Sequence, residues 1–92
     1  MRDAFLPVTT VRLVVLARLR DALACAQEDL PLAAPTSVAD LVATLRARGG
    51  AWATELAPGR AVRVAVNHDL ATGATPVRPG DEVALFPPVT GG

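Results

Sequence analysis

The chain has 92 residues, 51% of them hydrophobic, and its nine basic residues balance nine acidic ones. This length builds one domain around one core, and zero net charge excludes the strongly basic proteins that bind nucleic acid or anionic lipid. One cysteine excludes an internal disulfide, and no apolar run reaches the roughly 18 to 20 residues of a membrane span, so we expect a cytoplasmic protein.

The first predicted element is a strand over Thr9 to Ala17, preceded by a flexible leader at residues 1–8. Along this strand Val11, Leu13 and Val15 recur at every second position, the period of a strand with one buried face. Leu16 falls on the opposite face.

A helix and a short strand follow. Leu19 and Leu23 are spaced four apart, which predicts a helix over Arg18 to Ala26. The segment DLPLAAP at residues 29–35 predicts a short strand at a sheet edge, because Pro31 has no N–H for a central ladder.

The clearest helix begins at Ser37, with Asp40 three residues later in a spacing that resembles a capping box. Its apolar stripe consists of Val38, Leu41, Val42 and Leu45. Gly49 and Gly50 are expected to end it, and a further helical turn is predicted at Trp52 to Leu56.

Two more strands complete the predicted domain. In Ala61 to Asn67 valines alternate with other residues, and Glu82 to Phe86 follows a β-turn at Pro79 and Gly80. The order of elements predicts an α+β fold, a β-grasp (ubiquitin-like) with a mixed four- to five-stranded sheet and the Ser37 helix on one face. The domain is expected to span residues 9–86, followed by an extended tail at residues 87–92.

The tail, PPVTGG, has an unusual composition for a frayed terminus. Pro87 and Pro88 favour an extended conformation that projects away from the last strand, whereas Gly91 and Gly92 expose bare backbone that fits a narrow pocket. A terminal carboxylate is a poor electrophile, so an ATP-dependent partner would have to convert it to an acyl-adenylate before a nucleophile could attack. An inert tail is the alternative.

The motifs VNHDL, VRPGDEVALFPPV and TGG resemble the MoaD/ThiS family of ubiquitin-like sulfur carriers, over about Thr9 to Gly92. The molybdopterin branch is the more similar one, because carriers of the thiazole branch typically lack the diproline. The resemblance implies that Gly92 is adenylated, becomes a thiocarboxylate and, with Gly91, delivers sulfur to cyclic pyranopterin monophosphate.

The same resemblance implies three protein partners: the molybdopterin synthase large subunit in a heterotetramer, an adenylating E1-like enzyme, and a sulfur donor protein. This chain would be the sulfur-donating subunit, with the catalytic pocket on the large subunit. No bound cofactor or metal is expected, and ATP would be used by the activating partner.

Contacts with the large subunit are expected around the tail. Strand parity sends Phe86 to the face opposite the helix, and the resemblance adds Leu16, Arg20 and Leu70. The predicted contacts continue along the tail through Pro87, Pro88, Val89 and Thr90. An ordinary place in the core is the alternative for Leu16 and Leu70.

Other functions stay open. The chain could be a thiazole-branch carrier, a ubiquitin-like modifier that forms isopeptide bonds through Gly92, or an interaction module whose tail is never activated. Cys25 could carry a persulfide, but an apolar neighbourhood favours a structural thiol. His68 could act as a base, but its turn-rich surroundings favour a solvated loop position.

Overall fold

The computed structural model describes residues 9–88. The predicted leader at residues 1–8 and the last four residues, Val89 to Gly92, lie outside the described part. In chain order, the elements within it are β1 (Thr10–Val15), α1 (Arg18–Ala22), β2 (Gln27–Pro31), β3 (Thr36–Ser37), α2 (Val38–Arg46), α3 (Gly50–Glu55), β4 (Arg63–Val66), β5 (Asp69–Leu70), β6 (Pro76–Val77) and β7 (Glu82–Phe86).

Five strands form one mixed sheet in the order β2-β1-β7-β4-β5. The central strands β1 and β7 run parallel, whereas the other neighbouring pairs are antiparallel. Strands β3 and β6 pair separately as a small second sheet. The predicted mixed sheet is confirmed, including the edge position of the strand that contains Pro31.

The core lies between one face of this sheet and the helices. Val11, Leu13 and Val15 of β1 are buried, as are Val83 and Leu85 of β7. From the helical side α2 contributes Val38, Leu41 and Leu45, which are also buried. The alternation that predicted these strands therefore identified the buried face correctly, and the other face is left for other roles.

Local geometry explains how α2 begins and how the chain turns after it. Ser37 Oγ accepts a hydrogen bond from the Asp40 N–H at 3.1 Å, as the capping pattern predicted. The helix ends at Arg46, and Gly49 at φ 81° turns the chain into α3. A left-handed φ suits glycine, so this pair of glycines permits the turn.

Two tight turns, one before β7 and one between β4 and β5, have the backbone that their sequences favour. Asp81 N–H donates to the Arg78 carbonyl at 3.0 Å and Gly80 has φ 94°, the positive φ that a type II turn needs. Between β4 and β5, Asn67 and His68 both have positive φ, as a two-residue type I′ turn requires. This second turn makes the predicted loop after Asn67 a tight hairpin.

The first helix is shorter than predicted. It ends at Ala22 rather than Ala26, because Ala24 at φ 51° leaves the helical conformation and Cys25 N–H donates back to the Arg20 carbonyl at 3.1 Å. This early end frees Gln27 to begin β2. None of the described helices is long and apolar enough to cross a bilayer.

Candidate functional site beside the tail

The face of the five-stranded sheet that points away from the helices, here called the outer face, carries a row of apolar side chains. Residues paired in register lie side by side and point to the same face. Ala84 of β7 pairs with Val14 of β1 and with Ala65 of β4, and Ala65 pairs with Leu70 of β5. Apolar residues therefore cross four strands without interruption.

A second row lies one step nearer the tail. Leu16 N–H donates to the Leu85 carbonyl at 3.0 Å, which continues the β1 to β7 pairing and brings Leu16 beside Phe86. On the other side of Phe86 its register partner is Arg63. Together the two rows form the apolar patch, which consists of Val14, Leu16, Ala65, Leu70, Ala84 and Phe86.

The exposure of this patch argues for a binding role. Leu16 is 44% and Leu70 67% exposed, and they are the exposed large hydrophobic residues of the described chain. The alternative that either belongs to the core is therefore wrong. Phe86 and Ala84 are half-buried, whereas their neighbours Val83 and Leu85 are buried. A contiguous group of apolar side chains at the surface makes the patch a candidate interaction surface.

The tail leaves the sheet at the patch. Strand β7 ends at Phe86, and the half-buried Pro87 and Pro88 follow directly. Because proline has no N–H, the hydrogen-bonded ladder cannot continue through them. Val89, Thr90, Gly91 and Gly92 lie outside the described residues, so their roles as partner contacts and as the reactive end stay predictions.

Arg20 is exposed on α1, close in sequence to Leu16. Between them, the backbone of Ala17 has φ 56° and ψ −141°, a combination that residues with a Cβ rarely adopt. That unusual turn lets the chain leave the outer face at Leu16 and enter α1 at Arg18. Arg20 therefore lies beyond the patch, and its predicted contact with a partner stays a prediction.

Sequence reasoning named Leu16, Leu70 and Phe86 but not the rest of the patch. By the period of two, Val14, Ala65 and Ala84 fall on the outer face, but only the strand register shows that they join into one surface. Arg63 was also missed, because its position beside Phe86 depends on the antiparallel pairing of β4 with β7.

A metal cluster and His68 are two other features on which a reactive site could be built. Among residues 9–88, no group of three or more histidine, cysteine or acidic side chains could hold a metal ion. The side chain of His68 is 84% exposed in its hairpin turn, with Nε2 3.7 Å from Glu82 Oε2. It is thus a solvated turn residue, as expected.

Cys25 packs against the core at the end of α1 and is half-buried. Its Sγ lies 3.9 Å from Glu28 Oε1, and Glu28 is in turn bound by Arg48, whose guanidinium stacks 4.6 Å from the centre of the Trp52 ring. Burial raises the pKa of the Cys25 thiol, and the negative charge of Glu28 raises it further. The thiolate, which is the reactive form, is disfavoured.

We expect Cys25 to react slowly with iodoacetamide in the folded protein. Because burial and the charge of Glu28 raise the pKa of the thiol, alkylation should begin at a higher pH than for the same cysteine in denaturant, and the rate constant near neutral pH should be lower in the folded protein. Mass spectrometry of samples quenched over time measures both rates. Equal rates in folded and denatured protein would show that the thiol is free to carry sulfur.

The sequence and the structure both match known proteins. The sequence model of the ThiS family matches residues 13–92. Two proteins named molybdopterin synthase sulfur carrier subunit, from Haemophilus influenzae and Escherichia coli, are each 46% identical over 48 residues. That stretch is 52% of this chain and spans 58% of the length of either relative.

Among solved structures, SAMP1 from Haloferax volcanii superimposes with a TM-score of 0.74. The match covers 90% of this chain and 99% of that one at 24% sequence identity, so it bears on the fold alone. This likeness agrees with the five-stranded mixed sheet and supports the predicted β-grasp fold.

Proposed function

The chain belongs to the ThiS family, and we propose that it is the sulfur carrier subunit of molybdopterin synthase. The observation that carries this proposal is the apolar patch, which places the exposed Leu16 and the half-buried Phe86 directly before the Pro-Pro-Val-Thr-Gly-Gly tail. A docking surface next to a slim terminus is what a carrier needs to insert its end into a partner. The names of the two relatives, each 46% identical to this chain over 48 residues, support the choice of the molybdopterin pathway.

The proposed cycle begins with the carboxylate of Gly92. An activating enzyme transfers AMP from ATP to this carboxylate, releasing pyrophosphate and forming an acyl-adenylate. A persulfide on a donor protein then displaces AMP and forms an acyl disulfide with Gly92. A thiol attacks the donor's own sulfur in this disulfide, breaks the S–S bond and forms a new disulfide with the donor, and the thiocarboxylate on Gly92 is the leaving group. Neither Gly91 nor Gly92 has a side chain that would obstruct these attacks.

Delivery depends on docking. The apolar patch binds the large subunit, and the stiff Pro87 and Pro88 direct the tail into its pocket, where cyclic pyranopterin monophosphate is bound. Near neutral pH a thiocarboxylate is an anion whose polarisable sulfur is a good nucleophile, as the sulfur of a thiolate is. Holding it on a docked domain makes its attack on the substrate effectively intramolecular, which favours the reaction without a catalytic side chain from this chain.

Intact mass spectrometry tests this function. We expect the protein isolated from cells that make the cofactor to contain a species in which one oxygen is replaced by sulfur, and this species should disappear when purified large subunit and substrate are added. Covalent adducts with other proteins in place of that species would identify a protein modifier instead. A sulfur-loaded form that the thiazole-forming enzyme discharges, but molybdopterin synthase does not, would identify a thiazole-branch carrier.

A further inference from the structure

Arginines surround the point where the tail leaves the sheet. Strand β7 lies between β1 and β4, so the segments that follow β1 and precede β4 flank Pro87 and Pro88. Arg18 lies three residues after the end of β1, and Arg60 lies three residues before the start of β4. Each of the two segments that flank the start of the tail therefore carries an arginine.

Glu55 of α3 ties these two flanks together. Its Oε1 accepts hydrogen bonds from Arg18 Nη1 and from Arg60 Nη2, each at 3.0 Å. The Arg18 and Arg60 side chains nevertheless stay 55% and 45% exposed, while that of Glu55 is 15% exposed. The carboxylate accepts one hydrogen bond from each guanidinium group. Because both arginine side chains stay about half exposed, their other N–H groups can donate to a partner.

Two more arginines extend this group on the outer face and on α1. Arg63 is exposed beside Phe86, and Arg20 is exposed one helical turn beyond Ala17. Neither has an ion-pair partner among residues 9–88. These four residues, Arg18, Arg20, Arg60 and Arg63, are called the arginine collar below.

The two ends of the strands differ in charge, although the chain as a whole is neutral. At the tail end, the acidic residues that the described elements place near the four collar arginines are Glu55, which binds Arg18 and Arg60, and Asp21, which follows Arg20 in α1. At the opposite end, two arginines, Arg12 and Arg78, lie with three carboxylates, those of Asp29, Asp81 and Glu82. Glu28 and Asp69 lie between the two ends, in the same row of the sheet as Leu13. An electric field of this polarity orients the tail end toward an acidic surface.

We propose that the arginine collar docks on acidic side chains that surround the mouth of the large-subunit pocket into which the tail inserts. This rests on the proposed function and adds the chemistry of the partner's surface to it. The tail from Pro87 to Gly92 has six residues and reaches at most about 20 Å, so an inserted tail carries its reactive end well beyond the collar. The collar therefore meets the rim of the pocket, where planar guanidinium groups match carboxylates in two-point hydrogen bonds.

Charge reversal with a matched control tests the collar. We expect Arg63→Glu to lower the association rate constant with the large subunit of the same organism about tenfold at low salt, with little change in the dissociation rate constant. Arg78→Glu makes the same change of charge at the opposite end of the sheet and should leave the association rate close to that of the unmodified chain. Stopped-flow measurements at about 0.05 M and about 0.5 M salt should show the difference shrink as screening increases.

A double variant, Arg18→Gln with Arg60→Gln, tests the two guanidinium groups on Glu55 without adding negative charge, and should slow association in the same salt-dependent way. Thermal unfolding of each variant confirms that it is folded. Equal slowing by Arg63→Glu and Arg78→Glu would overturn the proposal, as would faster association of Arg63→Glu. Failure of the unmodified chain to bind would instead refute the proposed function.

Discussion

Deleting Gly92 should abolish sulfur transfer by this chain while leaving its free energy of unfolding unchanged. The deletion leaves a glycine carboxylate at the end, so the chemical group is the same, but its position retreats by about 3.5 Å. Misplacing a reacting group by even about 1 Å can cost a hundredfold in rate, so a shift of a whole residue should take the carboxylate out of reach of both the adenylating site and the substrate. Gly92 lies beyond the core elements, which all fall within residues 10–86, so stability should not change.

The first measurement is the rate of thiocarboxylate formation with ATP, the activating enzyme and a sulfur source, followed by intact mass spectrometry. The second is thermal unfolding of the chain before it is loaded with sulfur. Thr90→Ser is the matched control, because it changes the tail by one methyl group and preserves its length. It should be loaded at nearly the rate of the unmodified chain. Full loading and full cofactor synthesis by the shortened chain would contradict both the carrier function and the protein-modifier alternative.

The parts of the fold that sequence predicted well are those where one pattern determines the result. The last strand, Glu82 to Phe86, was predicted with the bounds that the structure gives it, because Pro79 and Gly80 form its turn and Pro87 ends it. Its alternation then assigned Leu85 to the core and Phe86 to the outer face. Local chemistry and the period of two were sufficient for this assignment.

Other elements depend on contacts that sequence does not display. Strands β3, β5 and β6 have two residues each, too few for any period to appear, and they form because neighbouring segments supply their partners. The end of α1 depends on Ala24 at φ 51°, although alanine is a strong helix former. The apolar patch likewise required the register between strands, since Ala65 and Ala84 are unremarkable in sequence and meet only through β4 and β7 pairing.

Replacing Phe86 with aspartate should weaken binding to the large subunit by at least about 30-fold, the effect of losing an aromatic residue at the centre of an interface. Phe86 lies between Leu16 and Arg63 on the outer face, next to the start of the tail. Its side chain points away from the core that Val83 and Leu85 fill, so the free energy of unfolding should fall by only about 1 kcal/mol or less. Truncating the neighbouring core residue, Leu85→Ala, should cost about 2 to 5 kcal/mol instead.

Two companion variants separate the lost contact from the added charge. Phe86→Ala removes the ring without a charge and should raise the dissociation rate constant at both low and high salt, because the contact it loses is apolar. Ala43→Asp places the same carboxylate on the exposed surface of α2, away from the outer face, and should bind as the unmodified chain does. Isothermal titration calorimetry gives the affinities and thermal unfolding gives the stabilities. If Phe86→Ala bound normally, or if Phe86→Asp unfolded the domain as a core substitution would, Phe86 would be a structural residue and the docking surface would have to lie elsewhere.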